Sequence, residues 1–244
     1  MIENSIDILT ADGKADSITI HPDGTGPWPG VILYMDAFGV RPDLIGMGRR
    51  LASNGYYVLL PNLFYRISPK LTFSPSAFEG PERDRIMGLI FSLTNEMVMR
   101  DTRAYLEFLR GQPACNATKI GCVGYCMGGP LALTAAATYP ETVVAAASFH
   151  GGRLATDRPD SPHLLAPRMK GKIYVGIAGI DPFFTVEEKE RLENALKSAP
   201  VRYMMEVFPG VKHGFAVTGH PVFNPAASEI HWQRLVELFR AALQ

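Results

Sequence analysis

One stretch constrains the fold more than any other: Lys119-Ile-Gly-Cys-Val-Gly-Tyr-Cys-Met-Gly-Gly-Pro-Leu-Ala-Leu. An apolar strand runs into Gly124-Tyr-Cys-Met-Gly128, and a helix of small residues follows. Gly-x-nucleophile-x-Gly at a strand-to-helix junction sets the central residue, here Cys126, on a sharp, strained turn. The residues two places to either side have to be small, or their side chains would collide across the turn. The next N–H, that of Met127, then faces the place where negative charge would develop on a bound oxygen. The helix N-terminus presents the positive end of its dipole, which favours a thiolate and an oxyanion. A cysteine at the centre, where serine is more usual, is the distinctive feature.

Three cysteines occur, Cys115, Cys122 and Cys126. An odd count without framework spacing argues against a disulfide scaffold. Cys122 and Cys126 are too far apart in sequence for a two-residue redox pair. Cys122 lies inside the apolar strand, where inert packing is expected, and Cys115 reads as a loop or helix-end thiol. Only Cys126 has the context of a nucleophile.

The rest of the chain alternates strand-like and helix-like segments. Ile6–Thr10 and Ser17–Ile20 around Asp12-Gly13 read as an antiparallel hairpin. Val31–Met35, Tyr56–Leu60, Lys119–Val123, Val143–Phe149, Lys172–Ala178 and Arg202–Phe208 read as strands, several of them as the continuous apolar runs of strands buried on both faces. Pro42–Asn54, Met127–Tyr139, Val186–Ser198 and Ala226–Leu243 read as helices. Arg83–Arg110 reads as one long helix, with Ile86, Ile90, Leu93 and Met97 at three- and four-residue steps. Repeated β-then-α units predict a mostly parallel sheet with helices on both faces. The 244 residues fit one such domain, 1–244. Two Pro-rich segments, 62–82 and 151–170, fit neither period and are expected to be lid-like loops.

With 24 Lys plus Arg against 24 Asp plus Glu, the net charge is zero, so the electrostatic footprint of a nucleic-acid binder or a membrane-surface protein is missing. No apolar run has the length of a membrane span, and the first ten residues do not read as a signal peptide. The expectation is a cytoplasmic protein with reduced thiols, monomeric or a small homo-oligomer, needing no metal or cofactor because no cluster shows ligand spacing.

An elbow of this kind needs an acid and then a histidine later in the chain, on loops at the carboxyl ends of strands. Lys172–Ala178 leads into Gly179-Ile-Asp181-Pro182, and Arg202–Phe208 into Pro209-Gly-Val-Lys-His213-Gly-Phe215. Asp181 and His213 therefore fall at the required places. Taken singly, Asp181 would read as a turn or cap residue and His213 as a solvated loop residue; their joint order behind Cys126 is what singles them out. His220 and His231 are weaker candidates. A second oxyanion donor is expected from the loop after Val31–Met35, with the Ala37 N–H as the candidate.

Asp36-Ala-Phe-Gly-Val, Gly124-Tyr-Cys-Met-Gly-Gly, Asp181 and His213-Gly-Phe, at these spacings, resemble the dienelactone hydrolase family, over essentially the whole chain. The resemblance implies an α/β-hydrolase fold, a Cys126-His213-Asp181 triad and hydrolysis of a small ester or lactone. It makes Asp36 a candidate for activating the cysteine, although family members carry Glu in that motif. Four residues after the catalytic histidine those members carry an Arg that helps bind a substrate carboxylate. Here that position is Val217, which implies no demand for a carboxylate and an apolar contact instead. Arg83, Arg85 and Arg153 are the remaining candidates for a carboxylate contact. Two other readings stand beside a hydrolase: a non-catalytic small-molecule-binding protein on a decayed scaffold, and an acyltransferase using the same thioester.

Overall fold

The computed structural model describes residues 1–244, the side chain of Glu79 excepted. The chain begins with β1 (Ile2–Thr10) and β2 (Gly13–His21), joined by Ala11-Asp12 and paired along their whole lengths, from Ile2 opposite His21 to Thr10 opposite Gly13. β3 (Trp28–Tyr34), β4 (Tyr57–Pro61), β5 (Cys115–Tyr125), β6 (Val143–Phe149), β7 (Lys172–Ile180) and β8 (Arg202–Lys212) complete one sheet in the order β1-β2-β4-β3-β5-β6-β7-β8. β2 pairs antiparallel on both its sides, and every other neighbouring pair is parallel. The mostly parallel α/β sheet expected from the alternating pattern is the one observed.

Strands buried on both faces explain the continuous apolar runs. β4 is buried throughout, β3 from Gly30 onward and β5 from Ile120 onward. α1 (Pro42–Ser53) packs on β2 and β4, and α6 (Pro225–Leu243) on β5, β6 and β7. An Arg50–Glu229 ion pair joins these two helices. The side of Gly121 shows how closely α6 sits: an added Cβ there would meet the Phe239 ring at 2.7 Å. A second layer holds α3 (Asn95–Arg110) and α4 (Gly128–Thr138), with the 3-10 segment Pro162–Arg168 packed between α4 and α5 (Val186–Lys197). Among the described residues no helix is long and apolar enough to cross a membrane.

The long helix expected over Arg83–Arg110 is two helices, α2 (Arg83–Ser92) and α3. Leu93 turns extended, with ψ 118°, and Thr94 caps α3 by accepting a hydrogen bond from the Met97 N–H at 3.2 Å. The apolar spacing runs on across the break, so it conceals a junction that only Thr94-Asn95-Glu96, a capping residue with an acid in the first turn, announces. β5 begins earlier than expected because Cys115 and Asn116 pair with Trp28 and Pro29 before a register shift. Cys115 is accordingly a buried strand residue.

Five parallel strands deliver their carboxyl ends to one edge of the sheet. Asp36 follows β3, Cys126 follows β5, His150 follows β6, Asp181 follows β7 and His213 follows β8. Open α/β sheets bind ligands at that edge.

Candidate active site

The elbow is as tight as its glycines demand. Cys126 has φ +54°, in the left-handed region that a side chain rarely adopts. A Cβ on Gly124 would lie 1.9 Å from the Gly128 carbonyl oxygen, and one on Gly128 would lie 2.5 Å from that of Tyr34. Strand, turn and helix meet with no room for either. The Cys126 N–H donates to the Phe149 carbonyl at 3.2 Å, which ties the turn to the end of β6. Strain of this kind persists only where the surroundings over-determine it.

Asp181 and His213 meet beside the elbow. His213 Nδ1 lies 2.8 Å from Asp181 Oδ2, and Asp181 Oδ1 accepts the Phe183 N–H at 2.9 Å. The Asp181 carboxylate is 2 % exposed. The Phe183 ring packs edge-on to His213 with centroids 4.9 Å apart. Burial acts to lower the His213 pKa. The proximity and charge of Cys126 and the bond to Asp181 oppose it and prevail, holding the imidazole at about 10. His213 Nε2, the nitrogen not bonded to Asp181, makes no hydrogen bond of normal geometry, so the sulfur acts on it by proximity and charge. Burial pushes Cys115 up to about 12 and Cys122 higher still, as expected of packed cysteines.

Cys126 and His213 line a cavity of about 400 Å³. Ala37 and Met127 line it too, and neither N–H donates to a described residue. The walls are largely apolar, with Phe38, Phe78, Ile90, Phe91, Leu131 and Phe183. The segments 62–82 and 151–170 both contribute, through Pro75 and Phe78 and through residues from Gly152 to Pro162. So does α2, through Met87, Ile90 and Phe91.

Several sequence expectations are corrected here. Val217 is fully buried and is not among the lining residues, so it offers no apolar contact to a substrate. An offset counted along a loop does not specify which side of the chain faces the cavity, and here Val217 packs into the core. Arg83 and Arg85 stay outside on α2, stacked over the Phe78 and Phe73 rings and more than half exposed. Arg153 does line the cavity, with its guanidinium 5.0 Å from the centre of the Phe91 ring. Asp36 lines the cavity as well, but both its oxygens bond to Arg41.

His150 is the residue that sequence reasoning missed. It is 1 % exposed, has φ +39°, and neither ring nitrogen has a described partner. Burial first, then the nearby charge of His213, keeps it neutral by lowering its pKa well below the usual histidine value. Its place directly after a parallel strand was the available signal. His220 lines the cavity against Phe38, at 5.7 Å between centroids. His231 is in the core, bonded to the Tyr125 hydroxyl at 2.8 Å.

Comparisons with known proteins bear on the family and the fold. A sequence model of the Dienelactone hydrolase family matches residues 16–243. The carboxymethylenebutenolidase of Rhodococcus opacus is 28 % identical over 224 residues, covering 90 % of this chain and 83 % of its own. That of Pseudomonas sp. (strain P51) is 27 % identical over 241 residues, covering 98 % and 96 %. Among solved structures, a dienelactone hydrolase-like promiscuous phosphotriesterase from metagenomic libraries superposes with a TM-score of 0.77 at 22 % identity, covering all of both chains, and shows the shared fold. With a family match across nearly its whole length, this chain belongs to the dienelactone hydrolase family and is a hydrolase.

Proposed function

We propose that the protein hydrolyses small carboxylic esters or lactones through a Cys126-His213-Asp181 triad and a thioester acyl-enzyme. The observation that carries this reading is the placement of the His213 ring. One nitrogen is bonded to buried Asp181 and the other is turned toward a cysteine on a strained elbow in the cavity wall.

In the first half-reaction the Cys126 thiolate attacks the substrate carbonyl carbon and a C–S bond forms. The carbonyl oxygen becomes an oxyanion, and the Ala37 and Met127 N–H groups stabilise it. The C–O bond to the leaving alkoxide breaks, and His213 Nε2 supplies its proton. In the second half a water attacks the thioester, His213 takes the water's proton, and the acid departs as the C–S bond breaks. Asp181 keeps the ring oriented and stabilises its cationic form in both halves. The apolar walls supply binding area for the hydrocarbon parts of the ester.

The test is rapid quenching of turnover on a chromogenic aryl ester, followed by intact and peptide mass analysis. An acyl group on Cys126 is the expected result, together with loss of turnover in Cys126→Ala and its retention in Cys122→Ala. Full turnover by Cys126→Ala would falsify the mechanism. No turnover by the wild type across an ester and lactone panel would favour a binding protein, and ester product formed from an added alcohol would favour an acyltransferase.

A further inference from the structure

The loop after β3 carries a buried ion pair that the cysteine chemistry does not use. Asp36 is 2 % exposed and Arg41 is 5 %. Asp36 Oδ1 accepts from Arg41 Nη1 at 2.6 Å and from the Phe38 N–H at 3.0 Å, and Oδ2 accepts from Arg41 Nη2 at 2.8 Å. Arg41 Nη1 also reaches the Gly39 carbonyl at 3.4 Å, Nε stands 3.4 Å from Asp43 Oδ2, and the guanidinium lies 5.5 Å from the centre of the Phe38 ring. The Phe38 carbonyl accepts the Phe73 N–H at 2.9 Å. Both residues that flank Ala37 are thus tied down by name, while Ala37 itself faces the cavity. Arg41 is not among the lining residues, so a bound substrate does not reach the guanidinium to displace Asp36 from it.

We propose that Asp36 and Arg41 are positioning residues whose buried bidentate pair fixes the Ala37 N–H toward the oxyanion, and that Asp36 takes no proton from Cys126. This rests on the cysteine-hydrolase reading above. An oxyanion donor is effective only when it is in place before the charge develops, because it then needs no reorganisation during reaction. The loop between β3 and α1 has no ladder of its own to hold it. A planar fork of two parallel bonds supplies the missing rigidity, and only an arginine opposite a carboxylate gives that geometry. Both Asp36 oxygens are engaged by Arg41, none of the hydrogen bonds of Asp36 is to Cys126, and a carboxylate that left the fork for the thiol would leave a buried guanidinium without its partner. The proton chemistry is left to His213.

The experiment compares wild type, Asp36→Asn, Arg41→Gln and Arg41→Lys on one aryl ester, and measures iodoacetamide alkylation of Cys126 across pH in each. A donor used only in the transition state affects kcat and leaves KM unchanged. The expected result is a kcat about 10- to 100-fold lower in the first two variants, with KM, alkylation rate and alkylation midpoint unmoved. Arg41→Lys keeps the charge without the fork and should fall between, which keeps the test available if the neutral variants do not fold. An alkylation rate or midpoint that moves with kcat in Asp36→Asn would overturn the proposal, since Asp36 would then act on the thiol. An unchanged kcat would overturn it equally. Wild-type enzyme that stays active after stoichiometric alkylation of Cys126 would instead sink the triad reading.

Discussion

The His150 ring stands edge-on to the His213 ring, with centroids 5.1 Å apart and planes at 67°. Tyr125 and Phe215 enclose His150 on other sides, at 5.9 and 5.6 Å. A neutral imidazole with two unpartnered buried nitrogens is a cost to the fold, on the order of 1–3 kcal/mol for each unsatisfied polar group. His150→Phe keeps a ring against His213 and removes that cost. It should raise the denaturant midpoint, whereas His150→Ala should lower both stability and kcat by freeing the His213 ring. A lower midpoint for His150→Phe would show that the nitrogens have a partner in solution.

Asp181→Asn keeps the size of the acid and removes the charge that helps to hold His213 at about 10. Oriented imidazole is the larger loss, and a fall in kcat of about 10²- to 10⁴-fold is expected. The alkaline limb of kcat/KM should also move to lower pH, because the imidazolium loses a stabilising partner. A variant whose limb stays in place would mean that Asp181 does not control the His213 proton.

His231 links pH to stability. It is fully buried, its Nδ1 lies 3.0 Å from the Ser228 carbonyl, and its Nε2 pairs with the Tyr125 hydroxyl. Burial lowers its pKa to about 3, while the unfolded chain titrates near the ordinary 6.5. The unfolded state therefore binds the extra proton first as pH falls. Stability contributed by the neutral ring is present above 6.5 and is lost going down toward 3, by at most about 1.4 kcal/mol per pH unit. Urea unfolding at pH 7 and at pH 4.5 measures this. His231→Gln should show a shallower decline between the two, and an equal decline would place the acid sensitivity elsewhere.

What was legible in the sequence is what local rules and parallel-strand topology specify. The elbow, Asp181 and His213 each follow a strand directly, so the topology alone brings them to one edge. Asp36 was singled out by its motif, but its pairing with Arg41 escaped because no helix or strand period pairs residues five apart across an irregular loop. His150 escaped because its burial depends on Tyr125 at the end of β5 and on His213 and Phe215 in the loop after β8, two segments far apart in the chain. Val217 misled because an offset counted along a loop does not say which way the side chain faces, and this one faces the core. The break at Leu93 was hidden by an apolar spacing that α2 and α3 happen to share.

Arg153 is expected to govern how the enzyme treats anionic esters. Its backbone sits at φ +60°, its guanidinium stacks on Phe91, and among the described residues no carboxylate lies within ion-pair distance of it. Burial lowers its pKa, with the charge of Arg158 acting in the same direction. A cation in a largely apolar wall, on which Asp160 and Glu188 act only by charge and without a direct ion pair, gains more from a substrate carboxylate than an already paired one would. A charge-assisted contact contributes about 1.5–3 kcal/mol, less where water still reaches it. The expected result is a preference of about tenfold in kcat/KM for a free acid over its methyl ester at fixed low ionic strength. That reverses what Val217 alone suggested. Arg153→Met should abolish the preference by weakening the acid while leaving the methyl ester unaffected, and Val217→Ala should not alter the ratio because Val217 does not reach the cavity. Equal rates for acid and ester in the wild type, or a preference that survives Arg153→Met, would exclude Arg153 as the anion contact.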